Sequence, residues 1–181
     1  MSEVWPEIMV VVGIAMLQGA RHAHIDAIQK ASDELSLTTQ VVELRTAEDL
    51  QQQDIDALLL PGGESTVMRL RGNDQTSRLL PALFSWMREN DSRPVLATCA
   101  GAILMADPQD GGAPLVDAEI DRNAYGGQVD SFESTLDCGF QGFSFVLRAL
   151  GRYVMMLNAH YLAKSLVFEI GIESPSHFIQ N

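Results

Sequence analysis

The stretch from Pro94 to Ala106 (PVLATCAGAILMA) narrows the choice of folds more than any other in the chain. Its first half is a short apolar run of the kind that forms a buried strand. Its second half is a run of small and apolar residues compatible with a helix. Cys99 stands at the junction, flanked by residues small enough for a sharp strand-to-helix turn. Such a turn lifts a side chain out of the sheet and aims it at a helix N-terminus, where N–H groups and the helix dipole favour an anion. The thiolate is the reactive form of cysteine, so Cys99 is the candidate nucleophile. A buried cysteine acting only as a small hydrophobe is the alternative.

The rest of the first hundred residues repeats this alternation. Ile8–Met16 is a continuous apolar run, expected of a strand covered on both faces in a parallel sheet. It ends at Leu17–Gln18–Gly19–Ala20, after which Ile25, Ile28, Ala31 and Leu35 fall at helical spacing. Gln40–Leu44 predicts a second strand and Ala47–Gln53 a brief polar helix. Ile55–Leu60 predicts a third strand, which stops at Pro61–Gly62–Gly63–Glu64–Ser65–Thr66. Val67–Leu70 and Leu79–Glu89 read as helical. Strands alternating with helices indicate a single α/β domain around a mostly parallel central sheet. In open parallel sheets, ligands bind beyond the carboxyl ends of the strands. The turns at Gln18–Gly19, Gly62–Glu64 and Cys99–Gly101 all fall at such ends, so they are expected around one crevice.

Composition bounds the surroundings. A chain of 181 residues can bury a core without staples. Two cysteines without metal-type spacing, and no secretory apolar segment, predict a reducing cytoplasm and no structural disulfide. Met9–Leu17 is too short to span a bilayer. The net charge of −12 argues against nucleic acid and anionic membranes as partners, because their phosphates would be repelled. The basic residues are ten arginines and two lysines. An acidic, lysine-poor surface suits a protein kept soluble at high salt, and an ordinary acidic cytosolic protein equally well.

Beyond the elbow, Asp107–Pro114 is a turn-rich loop, Leu115–Arg122 a mostly polar extended stretch, and Ser131–Leu136 a further predicted strand. The three turn motifs occur in order, followed by Arg122–Asn123–Ala124–Tyr125–Gly126 and Asp130–Ser131–Phe132–Glu133. Together they closely resemble the glutaminase subunits of pyridoxal 5′-phosphate synthase, a class I (triad) glutamine amidotransferase family of flavodoxin-like fold. The resemblance covers residues 8–142. It implies that the elbow cysteine attacks the side-chain amide of L-glutamine, and that the ammonia released passes to a partner synthase subunit. It implies no cofactor and no metal.

Carried over by residue, the resemblance makes Cys99 the nucleophile and gives Gly62, Gly63, Glu64 and Arg122 to the substrate. The chemistry agrees with this. Glycines let backbone N–H groups approach an oxyanion closely, a carboxylate can pair with the α-ammonium of glutamine, and an arginine can clamp its α-carboxylate. Glu64 has a second reading as a helix N-terminal cap, and Arg122 as a solvated surface charge. Gln18–Gly19 matches the turn near the oxyanion site and the subunit contact. His24 matches a family position, but not the catalytic one. Tyr125 and Gly127 stand where the family has Phe and Arg, a change that would weaken docking or binding at Gly127.

A larger departure begins near Phe143. The family continues with Gly-Val-Phe-Ile-Arg-Ala-Pro and closes with Ser-Phe-His-Pro-Glu, which carries the triad His and Glu. No His-x-Glu occurs anywhere in this chain, whose late histidines are His160 and His177. Residues 143–181 hold two acids (Glu169, Glu173) against three bases (Arg148, Arg152, Lys164), a net of +1, while the first 142 residues carry −13. Reading from the third base of the Ser176 codon gives the degenerate triplets NCA, YTT, YAT, HCA and RAA, which can encode Ser-Phe-His-Pro-Glu. These observations predict that the tail is an out-of-frame translation after a one-base shift near Gly142–Leu147. A truly divergent tail is the alternative. With the tail as written, glutaminase activity is expected near background. A non-catalytic relative that still binds glutamine and the synthase, and a Cys-elbow hydrolase or stress protein on a similar sheet, are the other functional classes.

Overall fold

The computed structural model describes residues 9–19 and 21–117, together with the backbone of three strands between residues 132 and 156. Four strands, β1 (Met9–Ala15), β2 (Thr38–Leu44), β3 (Ala57–Leu60) and β4 (Val95–Ala97), form one sheet in the order β2-β1-β3-β4. Every pairing in it is parallel, with Gly13 opposite both Val42 and Leu58, and Leu59 opposite Leu96. The connections are the helices α1 (Arg21–Leu35), α2 (Ala47–Gln52), α3 (Ser65–Gly72) and α4 (Leu79–Glu89), and α5 (Ala100–Ala106) follows β4.

Successive residues of a strand face opposite sides of the sheet, and here each side meets its own helices. Val10, Val12 and Ile14 of β1 and Ala57 and Leu59 of β3 bury against Ala27, Ile28 and Ala31 of α1. Ala15, Leu58 and Leu60 face the other way, onto Leu50 of α2, Met68 of α3, Leu79, Leu80, Leu83 and Phe84 of α4, and Leu104 of α5. Because both faces are covered, the strands read in sequence as unbroken apolar runs rather than alternating ones. The resulting architecture is the α/β, flavodoxin-like one expected.

Polar side chains set several of the element ends. The third strand begins at Ala57 rather than Ile55. There the Asp56 carboxylate accepts the Val11 N–H at 2.7 Å, and the Asp56 N–H donates to the Val11 carbonyl. Helix α3 begins at Ser65, ahead of the apolar residues that signal it, because Glu64 caps it. Helix α2 opens on a reciprocal capping box between Thr46 and Asp49. The loop Asp107–Pro114 is latched by two arginines. Arg69 of α3 donates to the carbonyls of Asp107 and Pro108, and Arg88 of α4 forms a fork to the Asp110 carboxylate at 2.6 and 3.0 Å.

A separate antiparallel sheet, in the order β5-β6-β7, comprises β5 (Phe132–Asp137), β6 (Ser144–Leu150) and β7 (Tyr153–Met156). The strand expected at Ser131–Leu136 corresponds to β5. Arg122, Tyr125, Gly127, His160 and His177 lie outside the described residues, as does the second of the two cysteines, Cys138, which has no elbow around it in the sequence. Among the described residues, no helix is long and apolar enough to cross a membrane.

Candidate active site

The strand order sets the turn after β3 between the turns after β1 and β4, and the three touch. Gly19 adopts φ +99, and a Cβ on it would lie 2.0 Å from the Gly62 carbonyl oxygen. Only glycine permits both that backbone conformation and that approach. The Gln18 Oε1 accepts the Glu64 N–H at 2.7 Å, joining the first turn to the second. On the other side, a Cβ built on Gly62 would lie 2.9 Å from the Cys99 Cβ and 3.6 Å from its Sγ. The three turns therefore meet at one edge of the sheet, with Gly62 at the centre and Gln18–Gly19 and Cys99 on either flank.

Cys99 occupies the N-cap position of α5 with φ 50 and ψ −115, a backbone region that residues with a side chain seldom enter. Such strain costs about 1–3 kcal/mol and persists only where the neighbours enforce it. They do so here on both sides. The Thr98 N–H donates to the Leu60 carbonyl at 3.0 Å, the Gly101 N–H to the Thr98 carbonyl at 2.9 Å, and the Ile103 N–H to the Cys99 carbonyl at 3.2 Å. A Cβ on Gly101 would sit 2.4 Å from the Leu60 carbonyl oxygen, so its absence is what lets α5 start against the end of β3. The thiol is only partly buried, and no side chain caps α5.

Glu64 takes the same position at the start of α3 and uses it differently. Its two carboxylate oxygens accept the N–H groups of Thr66 (3.1 Å) and Val67 (2.8 Å). The helix-cap reading of Glu64 is therefore realised. A carboxylate oxygen has a second lone pair, so the cap leaves acceptor capacity for an ammonium group.

One contact at the crevice has no counterpart in the sequence reading. The His24 Nε2, on α1, is 3.4 Å from the Thr98 Oγ1. Burial pushes the His24 pKa down, which keeps the ring neutral at neutral pH. The two residues are 74 positions apart, and no local pattern signals their meeting. Among the described residues, no group of His, Cys, Asp and Glu could hold a metal ion.

A parallel sheet with a cysteine elbow and glycine-lined turns at its carboxyl edge is a layout that Cys-dependent amidotransferase domains share with other Cys-elbow proteins, and comparison with known proteins singles out the amidotransferases. The model of the SNO glutamine amidotransferase family matches residues 14–155. The pyridoxal 5′-phosphate synthase subunit PdxT of Thermococcus onnurineus (strain NA1) is 37% identical over 162 residues, covering 83% of this chain and 77% of its own length. The subunits of the same name from Shouchella clausii (strain KSM-K16) and Actinobacillus pleuropneumoniae serotype 5b (strain L20) are each 40% identical. They cover 70% and 69% of this chain and 60% of their own lengths. The chain belongs to the SNO glutamine amidotransferase family. The family match takes in all three turns and Arg122 and leaves residues 156–181 outside it.

Proposed function

We propose that the chain is a cytoplasmic glutaminase subunit which, with its reading frame restored, hydrolyses L-glutamine to glutamate and ammonia, for use by a synthase subunit that makes pyridoxal 5′-phosphate. The observation that carries this reading is the junction of three glycine-containing turns around the strained Cys99 elbow, in a chain of an amidotransferase family. Gly62, Gly63 and Glu64 hold the substrate, with the Glu64 carboxylate toward its α-ammonium and Arg122 toward its α-carboxylate. The Cys99 Sγ attacks the carboxamide carbon. The oxyanion that forms faces backbone N–H groups of the elbow and the glycine turn, where one good donor is worth a few kcal/mol. The C–N bond then breaks, the nitrogen leaves as ammonia with the thiol's proton, and a thioester remains. Water hydrolyses it to glutamate and the free thiol.

Both steps need a base, first for the thiol and later for the water. The chain as written holds no His-x-Glu to supply one. We propose that residues 143–181 are read out of frame. A second landmark supports this beyond the one at Ser176. In the same frame, from the third base of the Gln141 codon, the triplets RGG, NTT, YTC, NTT, YGT, NCT and NCG can encode Gly-Val-Phe-Ile-Arg-Ala-Pro, the other motif missing from the tail. One offset can thus encode both motifs, which moves the expected shift from Gly142–Leu147 to Gln141 or just before it.

The coding DNA tests the tail. The function is tested by measuring glutamate release from glutamine with the synthase subunit present, for this chain and for a frame-restored one. Turnover is expected from the restored chain and background from this one. A normal rate from this chain would overturn the tail reading, and no turnover from either would overturn the function. The missing His-x-Glu also favours a second reading, a non-catalytic subunit. Glutamine binding by calorimetry without turnover in either chain would select it.

A further inference from the structure

His24 lies at the crevice and has no part in the reaction above. Strands β1 and β4 are not neighbours, since β3 lies between them. The His24–Thr98 pair therefore reaches past the end of β3, tying the helix that follows the Gln18–Gly19 turn to the residue before Cys99. Alternation along β4 explains which side it reaches. Leu96 packs on the α1 face, whereas Val95, Ala97 and Cys99 pack on the opposite face. Thr98 continues the Leu96 side and meets α1, leaving the thiol turned away from the imidazole. Through this contact the ring acts on the backbone of the elbow rather than on the sulfur.

That backbone is where support is needed. Thr98 is held by its N–H to β3 and by its carbonyl to the first turn of α5. Its hydroxyl supplies a third hold, on an element that neither of the others touches. We propose that His24 is a positioning residue of the elbow, fixing through the Thr98 Oγ1 the peptide that presents the Cys99 thiol to the crevice. This rests on the assignment of Cys99 as nucleophile, but thiol reactivity can be read without glutamine.

The test is the rate at which iodoacetamide alkylates Cys99 at neutral pH, followed by mass spectrometry of the Cys99 peptide, with Tm measured on each variant. His24→Leu and Thr98→Val should each slow alkylation about fivefold, the size of effect one modest hydrogen bond supports. The double variant should be no slower than either single one, and His24→Gln should regain most of the rate. If His24→Leu does not fold, the nearly isosteric Thr98→Val decides the matter. Rates within about twofold of the parent would overturn the proposal. So would losses that multiply in the double variant, or a His24→Gln no faster than His24→Leu. Calorimetry of glutamine with the unsubstituted chain reads the proposed function separately. Absent binding beside an intact His24 effect would sink that function and leave the positioning role standing.

Discussion

The turns after β3 and β4 begin alike and end with opposite chemistry. Each leaves a parallel strand at the same edge of the sheet and enters a helix within a few residues. In the first, Glu64 sits at the N-cap in extended backbone (φ −103, ψ 118) and folds its carboxylate onto two N–H groups of α3. In the second, Cys99 sits at the N-cap with φ 50, and no side chain caps α5. One turn satisfies its own helix. The other spends backbone strain to hold a thiol beside a helix N-terminus that its own side chains leave open. The difference separates a turn whose side chain closes its own helix from one that presents the candidate nucleophile, and the strained turn depends on its neighbours for a backbone conformation that the capped one adopts without strain.

The largest expected effect breaks the pair at the sulfur. Cys99→Ala should abolish covalent capture of an electrophilic glutamine analogue, read by mass spectrometry, whereas Glu64→Ala should weaken capture without eliminating it. Capture by the Cys99→Ala chain at the parent rate would show that the reactive group lies elsewhere. Next comes a methyl group added to each turn. In Gly101→Ala it would meet the Leu60 carbonyl oxygen at 2.4 Å, backbone that can yield only by moving α5 off β3. A cost of about 2–3 kcal/mol is expected in urea unfolding. In Gly63→Ala the nearest atoms are the Gln18 Oε1 at 2.8 Å, its Cβ at 3.1 Å and the Met68 Sδ at 3.2 Å, side chains rather than backbone, so a smaller cost of about 1 kcal/mol is expected, part of it from disturbing the Gln18–Glu64 hydrogen bond. Equal costs would remove the distinction between a rigid and a yielding turn.

Smaller effects of opposite sign should follow from changes at the two N-cap positions. Glu64→Ala removes the cap of α3 and should lower stability by about 1 kcal/mol. Cys99→Gly relieves a positive φ that a side chain resists and should raise stability by about 1 kcal/mol, since the strain relieved exceeds the added flexibility of the unfolded chain. Thermal unfolding of the two variants reads both signs. A destabilised Cys99→Gly would show that the elbow is not under strain.

Much of this comparison could be read in the sequence, for identifiable reasons. Unbroken apolar runs such as Ile55–Leu60 reveal strands buried on both faces, and turns at their carboxyl ends must share an edge. Gln18, Gly62 and Cys99 are placed together by that pattern alone. The choice between ligand and cap at Glu64 was not decidable, because a carboxylate ahead of a helix suits both and only its distances to Thr66 and Val67 show the cap. The reach of Arg69 and Arg88 to the loop after α5, and of His24 to Thr98, were invisible for another reason. Such pairs lie 22 to 74 residues apart and join elements whose adjacency is a product of the fold. The missing catalytic pair is of a third kind, since two motifs absent from the chain can be encoded in another frame of the same codons.

The smallest expected effect sharpens the contrast through pH. The turn after β4 leans on a titratable neighbour, His24, whose pKa burial holds below the usual value of 6.5. The unfolded chain therefore takes up this proton first as the pH falls. Stability should be level above about pH 7 and decline as the pH drops through 6.5 toward the lower folded-state value, because the unfolded state then binds the extra proton. His24 is only partly buried, so the decline is modest. Urea midpoints of the parent should fall between pH 7.5 and 5.5 by more than those of His24→Gln, which has no group to titrate there. Identical declines would mean that the ring protonates as freely in the folded chain as in the unfolded one. The support of the elbow would then carry no acid sensitivity of its own.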